Sequence, residues 1–355
     1  LGHPAQGIEL STPGGWPVEW SNPAGSVRHE SFSPCEGLRA HVEKVRMHHD
    51  SFWPPQKGTD WRYLLALSAA LAACSAGCRD RLTVPANTRL LDQSAPYTYT
   101  DQDWALVLRN YVRDGLVDYT SLARNREPLD RYYALLGVTG PSLTPDQFPT
   151  AAHATAYWIN AYNALAILFV LNIYPVETIY DMDPSMPKIE LATFRVDGRT
   201  WTLPEIEARI LRVSDGDVRA LFATCQASLG TPRLSSEPMR AATLERQLAQ
   251  AAADALNNPK ILRIDSADRK ILVWHLILTR KDDFLNYWRT RRRTQTAHLL
   301  SVLADMASAQ RRRMLQGAVG YVFQAVPFDR RLNDWRPGTS AATPGWSGGD
   351  RPLVP

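Results

Sequence analysis

Apolar positions change their period several times along the chain, and each change marks an element. From Thr100 the stretch TDQDWALVLRNYVRDG sets Trp104, Val107, Leu108 and Tyr111 on one stripe. Spacings of three and four predict an amphipathic helix, opened by Thr100 with Asp103 and stopped by Gly115. LVDYTSL follows as a short extended piece, and a second helix is predicted over 127–136. Thr144-Pro145 announces a turn, and a long helix is predicted from near Thr150.

That long helix reads AYWINAYNALAILFVLNIYP over 156–175 and is apolar all round, the pattern of a helix buried on every side. Asn160 and Asn163 nevertheless sit in its middle. A buried amide without partners costs about 1–3 kcal/mol. The pair is therefore expected either to bridge to backbone or to line a site. Backbone in the loops SLGTP (228–232) and PFDRRLN (327–333), which helices and strands leave unsatisfied, is the expected partner.

TFRVDGRTWTL (193–203) alternates with period two, and Asp197-Gly198 is a two-residue hairpin signal. It runs into TLPEIEARILR, where Thr202 and Glu205 form a capping box and Pro204 suits the first turn. Residues 217–226 fit either helix or strand. A helix is predicted over 239–256, stopped by Asn257-Asn258-Pro259. KILRIDSADRKILVWHLIL predicts two strands around a Ser-Ala-Asp turn, with His275 as a core residue of the second. One amphipathic helix is predicted over 295–316, and GYVFQAVPF as a closing strand. No internal repeat appears. The expected fold is α/β in the α+β sense: one compact domain over 100–335, with several helices around a small, mostly antiparallel sheet.

Ahead of that domain the pattern is one of targeting. Residues 61–80 read WRYLLALSAALAACSAGCRD: Arg62, then eleven apolar or small residues over 63–73, then Cys74. A charged start, a 7–15 residue apolar run and small residues at its end describe a secretory signal. The run is too short to span a bilayer, which takes about 20 residues. Leu71-Ala72-Ala73-Cys74 resembles a bacterial lipobox, in which the cysteine is lipidated and becomes the mature N-terminus. Cleavage after Ala73 or Ala76, or an ordinary amphipathic helix, is the alternative. The expected organisation is a leader or untranslated stretch over 1–46, a signal peptide over 47–73, a lipidated polar tether over 74–99 and a polar tail over 336–355. Met47 is the first methionine. The expected place is the bacterial envelope, on the periplasmic side or in the outer membrane.

Composition narrows the chemistry. The chain has 355 residues, 45% apolar and 21% charged, with a net charge of +4, which suits a soluble globular protein and is too mild to imply nucleic acid. Cys35, Cys74, Cys78 and Cys225 show no metal-ligand spacing. There is no glycine-rich phosphate loop and no serine-centred elbow, so no metal or cofactor is expected. Arg289, Arg291, Arg292 and Arg293, with Arg311 to Arg313, make the C-terminal third basic. They form either a solvated helix face or a contact for anionic lipid or an acidic envelope polymer.

Thiol chemistry needs a cysteine with a base in reach. Cys225 is the thiol inside the globular part, and His153, His275 and His298 are its imidazoles. His298 is expected on an exposed helix. His153 lies seven residues before Asn160, so His153, Asn160 and Asn163 share one broad helix face. A Cys225–His153–Asn site is thus one reading, and an inert buried thiol is the other. Ser228, Asp329 and Asn333, on the two polar loops, are candidate pocket residues beside Asn160 and Asn163.

Taken in order, YVRDGLVDYTSL, YWINAYNALAI, NIYPVETI, VDGRTWTLPEIEARILR, ALFATCQASLGTPRL, KDDF and PFDRRLND resemble the domain-of-unknown-function 547 (DUF547) family across most of residues 100–334. The resemblance implies bacterial envelope and plant relatives of no settled activity, and a distant papain- or transglutaminase-like fold. Five places depart from the family pattern. Ala208 and Leu221 stand where the family has histidines. Cys225-Gln226 replaces its Asn-Cys pair, Thr231-Pro232 its Cys-Pro and Thr279-Arg280 its Trp-Tyr. A thiol one position early turns to another face. The expected role is therefore a non-catalytic binding or structural module, with a papain-like thiol hydrolase or transferase as the alternative.

Overall fold

The computed structural model describes residues 82–94, 96–180 and 188–337. The leader, the signal segment, Cys74 and most of the tail lie outside the described residues. Contacts divide the chain into Leu1–Ser75, which falls outside them, and Ala76–Pro355, whose described part follows.

In chain order the elements are β1 (Thr83–Val84), α1 (Gln102–Tyr111), β2 (Val112–Arg113), β3 (Leu116–Val117), α2 (Tyr119–Arg124), α3 (Glu127–Val138) and α4 (Ala151–Ile173). Then come β4 (Thr193–Val196), β5 (Arg199–Thr202), α5 (Leu203–Val213), a 3-10 turn (Val218–Ala223) and α6 (Leu244–Asn257). The last are β6 (Leu262–Asp265), β7 (Lys270–Val273), α7 (His275–Thr279), α8 (Lys281–Arg292), α9 (Leu299–Met306), α10 (Ala309–Gln316) and β8 (Val322–Ala325). The fold is mixed, with helices in the majority.

Among the described residues the strands form three small sheets rather than one: β1-β4-β5, β2-β3 and β6-β7-β8. β1 pairs with β4, and β7 with β8, in parallel; the other three pairings are antiparallel. The β4–β5 hairpin turns on Asp197 (φ 50°) and Gly198 (φ 73°), the left-handed pair that a two-residue turn requires. Asp197 does a second job. Its carboxylate accepts the backbone N–H groups of Ser142 and Leu143 at 2.9 Å and ties the hairpin to the loop after α3.

Two apolar cores result. The first gathers α1, α3, α4, α5 and the β1-β4-β5 sheet, and the second gathers α6, α8, α9 and the β6-β7-β8 sheet. The 3-10 turn joins them: Ala220 and Ala223 face the first, while Val218, Leu221 and Phe222 face the second. Leu221, where the family pattern has a histidine, is thus a core side chain. Helix α4 is long and apolar enough to cross a membrane, but its apolar window is buried inside the domain. Thr150 caps it by accepting from the His153 N–H, and Thr155 to Leu171 are buried without a break. Fully burying each large apolar side chain there is worth about 1.5–3 kcal/mol, which makes α4 the spine of the first core.

Several expectations need correction. Residues 82–99 are not a polar tether: Val84 is buried, β1 pairs with β4, and Tyr99 packs on Phe148 and Tyr157. LVDYTSL divides into β3 and α2, because Asp118 accepts from the Ser121 N–H and caps a helix. The helix expected over 295–316 breaks at Ala307-Ser308, where Ser308 caps α10. Strand β7 stops before Trp274, so His275 opens α7 and is exposed, set edge-on against Phe328. The Thr202–Glu205 capping box is present on both sides: the Thr202 N–H donates to Glu205 Oε2 at 2.7 Å, and the Glu205 N–H to Thr202 Oγ1.

Candidate functional site

Asn160 and Asn163 are 2% and 4% exposed, and each amide is used on both sides. Asn160 Nδ2 donates to the Met239 carbonyl, and Asn160 Oδ1 accepts the Met239 N–H, each at 2.8 Å. Asn163 Nδ2 donates to the Ala223 carbonyl at 2.9 Å, and Asn163 Oδ1 accepts the Cys225 N–H at 2.8 Å. The two amides therefore pin two incoming segments, at 239 and at 223–225, against α4. Their partners are not the loops 228–232 and 327–333. Those two loops satisfy each other: Leu229 N–H donates to the Arg331 carbonyl, Gly230 N–H to the Asp329 carbonyl and Asn333 N–H to the Ala227 carbonyl.

Residues 223–231 thread between two small cavities, and successive side chains point into different ones. Cys225 lines a cavity of about 80 Å³ with Ser228, Thr231, Arg233, Lys260 and Asn333. Gln226 lines another, of about 170 Å³, with Tyr162, Tyr180, Leu203, Glu190 and Glu207. Moving a thiol by one residue here moves it from one cavity to the other, because the extended backbone alternates its side chains.

Around Cys225 the polar partners are mixed, and burial decides for the neutral thiol. Asn333 Nδ2 donates to Sγ at 3.4 Å, and Tyr119 Oη donates to Asn333 Oδ1 at 2.9 Å, which fixes the amide's orientation. Thr231 Oγ1 gives its own proton to the Ser228 carbonyl at 2.8 Å and lies 3.9 Å from Sγ, so it is placed to accept from the thiol. Burial pushes the Cys225 thiol up and outweighs the Ala227 and Ser228 backbone N–H groups, which pull it down. Ala227 holds φ 55°, a left-handed backbone.

Ser228 and Asp329 meet here as well. Ser228 Oγ donates to the Asp329 carbonyl at 2.6 Å and accepts the Gly230 N–H at 3.1 Å. Burial would raise the Asp329 pKa, but the Arg331 and Lys260 hydrogen bonds outweigh it and hold the carboxyl well below the usual carboxylate range. Ser228, Asp329 and Asn333 are thus brought together with Cys225, and Asn163 reaches the Cys225 backbone.

His153 is not brought to them. It lines a third cavity, of about 210 Å³, with Tyr99, Asp101, Phe148, Tyr157 and Arg240, and its Nδ1 lies 2.8 Å from Thr150 Oγ1. Ten residues separate it from Asn163, about 15 Å along a helix axis. A shared helix face does not bring together groups so far apart along it.

Tyr119, which orients Asn333, and the cavity residues Tyr162, Glu207, Thr231 and Lys260 escaped the sequence reading. Glu207 did leave a signal. It falls four residues after Leu203 and one after Ile206, on the apolar face of α5, where a carboxylate has to find a partner. It is buried, and its Oε1 accepts from Arg280 Nη2 at 2.6 Å, so Arg280 answers the acid from across the two cores.

The basic stretch is partly committed to the protein's own groups. Arg291 pairs with Glu245 at 3.1 Å and lies over Tyr287, while Arg292 pairs with Asp305 and lies over Trp288. Arg289 donates to Asn286, and Arg312 to the Ala304 carbonyl.

Searches of curated proteins and of solved structures each found no match. Residues 146–255, from just before α4 into α6, match the family model described as Protein of unknown function, DUF547, so this part of the chain is similar to that family.

Proposed function

We propose that this chain is an exported, lipid-anchored bacterial envelope protein whose globular domain binds a ligand or partner without catalysing a reaction. The observation that carries the non-catalytic part is the setting of Cys225. Its proton has an acceptor in Thr231, and burial, which favours the neutral form, outweighs the donors that reach its sulfur. A nucleophile needs the opposite, a partner that draws the proton away and an environment that favours thiolate. The anchor rests on Arg62, the apolar run over 63–73 and Leu71-Ala72-Ala73-Cys74.

Within that reading the cavity beside Gln226 is the ligand site, because it combines apolar walls with a few polar groups held in place by the fold. Exposed Arg293, beside Arg291 and Arg292 in their ion pairs at the surface, is the contact for anionic lipid or an acidic envelope polymer. Metabolic labelling with palmitate in a diderm host tests the anchor. The wild-type chain is expected to incorporate label and to partition with membranes, and Cys74→Ser to do neither. An unlabelled wild-type chain would overturn the anchor. Loss of the biological role in Cys225→Ala, with the fold intact, would overturn the non-catalytic part.

A further inference from the structure

The cavity beside Gln226 has a chemical bias that names its ligand class. Ile189, Leu203 and Pro204 form apolar walls, and Tyr162 and Tyr180 add aromatic rings. Glu207 and Glu190 bring two carboxylates. Glu207 is 6% exposed, and Arg280 occupies one of its oxygens, Oε1. Among the described residues no hydrogen bond reaches Oε2, which keeps some solvent access, and Glu207 lines the cavity. That leaves a carboxylate oxygen in a mostly apolar wall free to accept from a donor that enters the cavity.

The charge balance points the same way. Arg280 divides its guanidinium between Glu207 and Asp283, the latter at 3.5 Å, and stands outside the cavity lining. Two acids and one shared cation leave the pocket side negative. Glu190 is exposed at the rim, where it raises the pKa of Tyr180 alongside burial and so keeps that ring a neutral phenol. Neutral tyrosine rings attract cations through their faces. Gln226, which interacts with the Tyr162 side chain, adds a polar group at the cavity wall.

We propose that this cavity binds a protonated primary amine on a short alkyl stem. The ammonium would sit against Glu207 Oε2, with Glu190 and the Tyr162 and Tyr180 rings around it, and the stem would lie along Ile189, Leu203 and Pro204. Three N–H donors suit carboxylate acceptors better than a quaternary ammonium does, which has none. A volume of about 170 Å³ admits a chain of a few carbons but not a sugar polymer. The proposal rests on the non-catalytic binding reading and deepens it by naming the ligand. The amine can be a free diamine or a lysine side chain carried on a peptide.

Calorimetric titration of the full chain with 1,5-diaminopentane, with 1,5-pentanediol as its uncharged counterpart, is the test. The diamine is expected to bind at least roughly tenfold more tightly than the diol, a difference that shrinks in high salt. Glu190→Gln, at an exposed position, is expected to weaken the diamine several-fold. Glu207→Gln paired with Arg280→Met, which avoids stranding the arginine, is expected to abolish the preference over the diol. A short acetylated peptide with one central lysine separates the sources: tighter binding than the diamine assigns the carried amine, weaker binding the free one. Equal binding of diamine and diol, no diamine binding, or a preference that survives both variants overturns the proposal. If the diamine fails while Cys225 is slow to alkylate, only the amine is lost and the non-catalytic reading stands.

Discussion

Replacing Asn163 by leucine isolates what the buried amides contribute. The side chains are similar in size, so the change removes two hydrogen bonds without opening a large cavity. It strands the Ala223 carbonyl and the Cys225 N–H, both on residues no more than 5% exposed. Each orphaned group costs about 1–3 kcal/mol, for a sum of roughly 2–6 kcal/mol, and the more apolar leucine recovers part of that. A net loss of about 2–4 kcal/mol is expected, a large fraction of a typical domain stability of about 5–15 kcal/mol. Urea unfolding followed by tryptophan fluorescence measures it as a lower midpoint at unchanged slope. Asn160→Leu strands the Met239 carbonyl and N–H instead. Because the two amides hold different segments, the double variant should lose close to the sum. A midpoint within about 0.5 kcal/mol of wild type for either single variant would show that the backbone at 223–225 or 239 is held some other way.

Three further outcomes follow from particular contacts. Burial raises the Tyr133 hydroxyl to about 12. A raised folded pKa contributes stability below the ordinary phenol value of about 10 and loses it as pH climbs towards 12, so unfolding midpoints should fall across that window and recover on return to pH 8. The hydrogen bond from Arg219 holds Glu245 down at about 2. Its stabilising contribution is therefore present above about pH 4.3 and lost as pH falls towards 2. NMR titration of the Glu245 carboxyl should place its midpoint well below that of Arg219→Met. Gly230→Ala would set a Cβ 2.8 Å from the Asp329 backbone nitrogen and 2.9 Å from its carbonyl oxygen. It should cost about 1–3 kcal/mol and speed hydrogen exchange at Leu229 and Asn333. Unchanged exchange would count against the close approach of the two loops.

How much could be read in advance depended on distance along the chain. The Asp197-Gly198 hairpin, the Thr202–Glu205 box and the length of α4 are decided within a few residues, and all three appear in the structure. That Asn160 and Asn163 need partners was also legible, since an amide in an apolar helix cannot go unanswered. Which partners they find was not, because Met239 is 79 residues from Asn160. β1 escaped for a related reason. Two residues carry no period, and Val84 gains its meaning only from Phe194, 110 residues on. The break at Ala307-Ser308 lies within an apolar pattern that continues across it, and the Ser308 cap decides it. Pairing His153 with Cys225 failed because helical spacing reports a face and not the distance along it.

The reactivity of Cys225 tests the central claim most directly. The full chain, with Cys35, Cys74 and Cys78 replaced by serine, would be alkylated with iodoacetamide from pH 6 to 10 and the rate compared with that of the unfolded protein. Folded Cys225 should react far more slowly at every pH. Its rate should show no inflection below the ~8.5 of a free thiol, because burial disfavours the thiolate. Fast alkylation with an apparent pKa well below that value would mean that a base or a cation acts on the sulfur, and would contradict a structural role for Cys225.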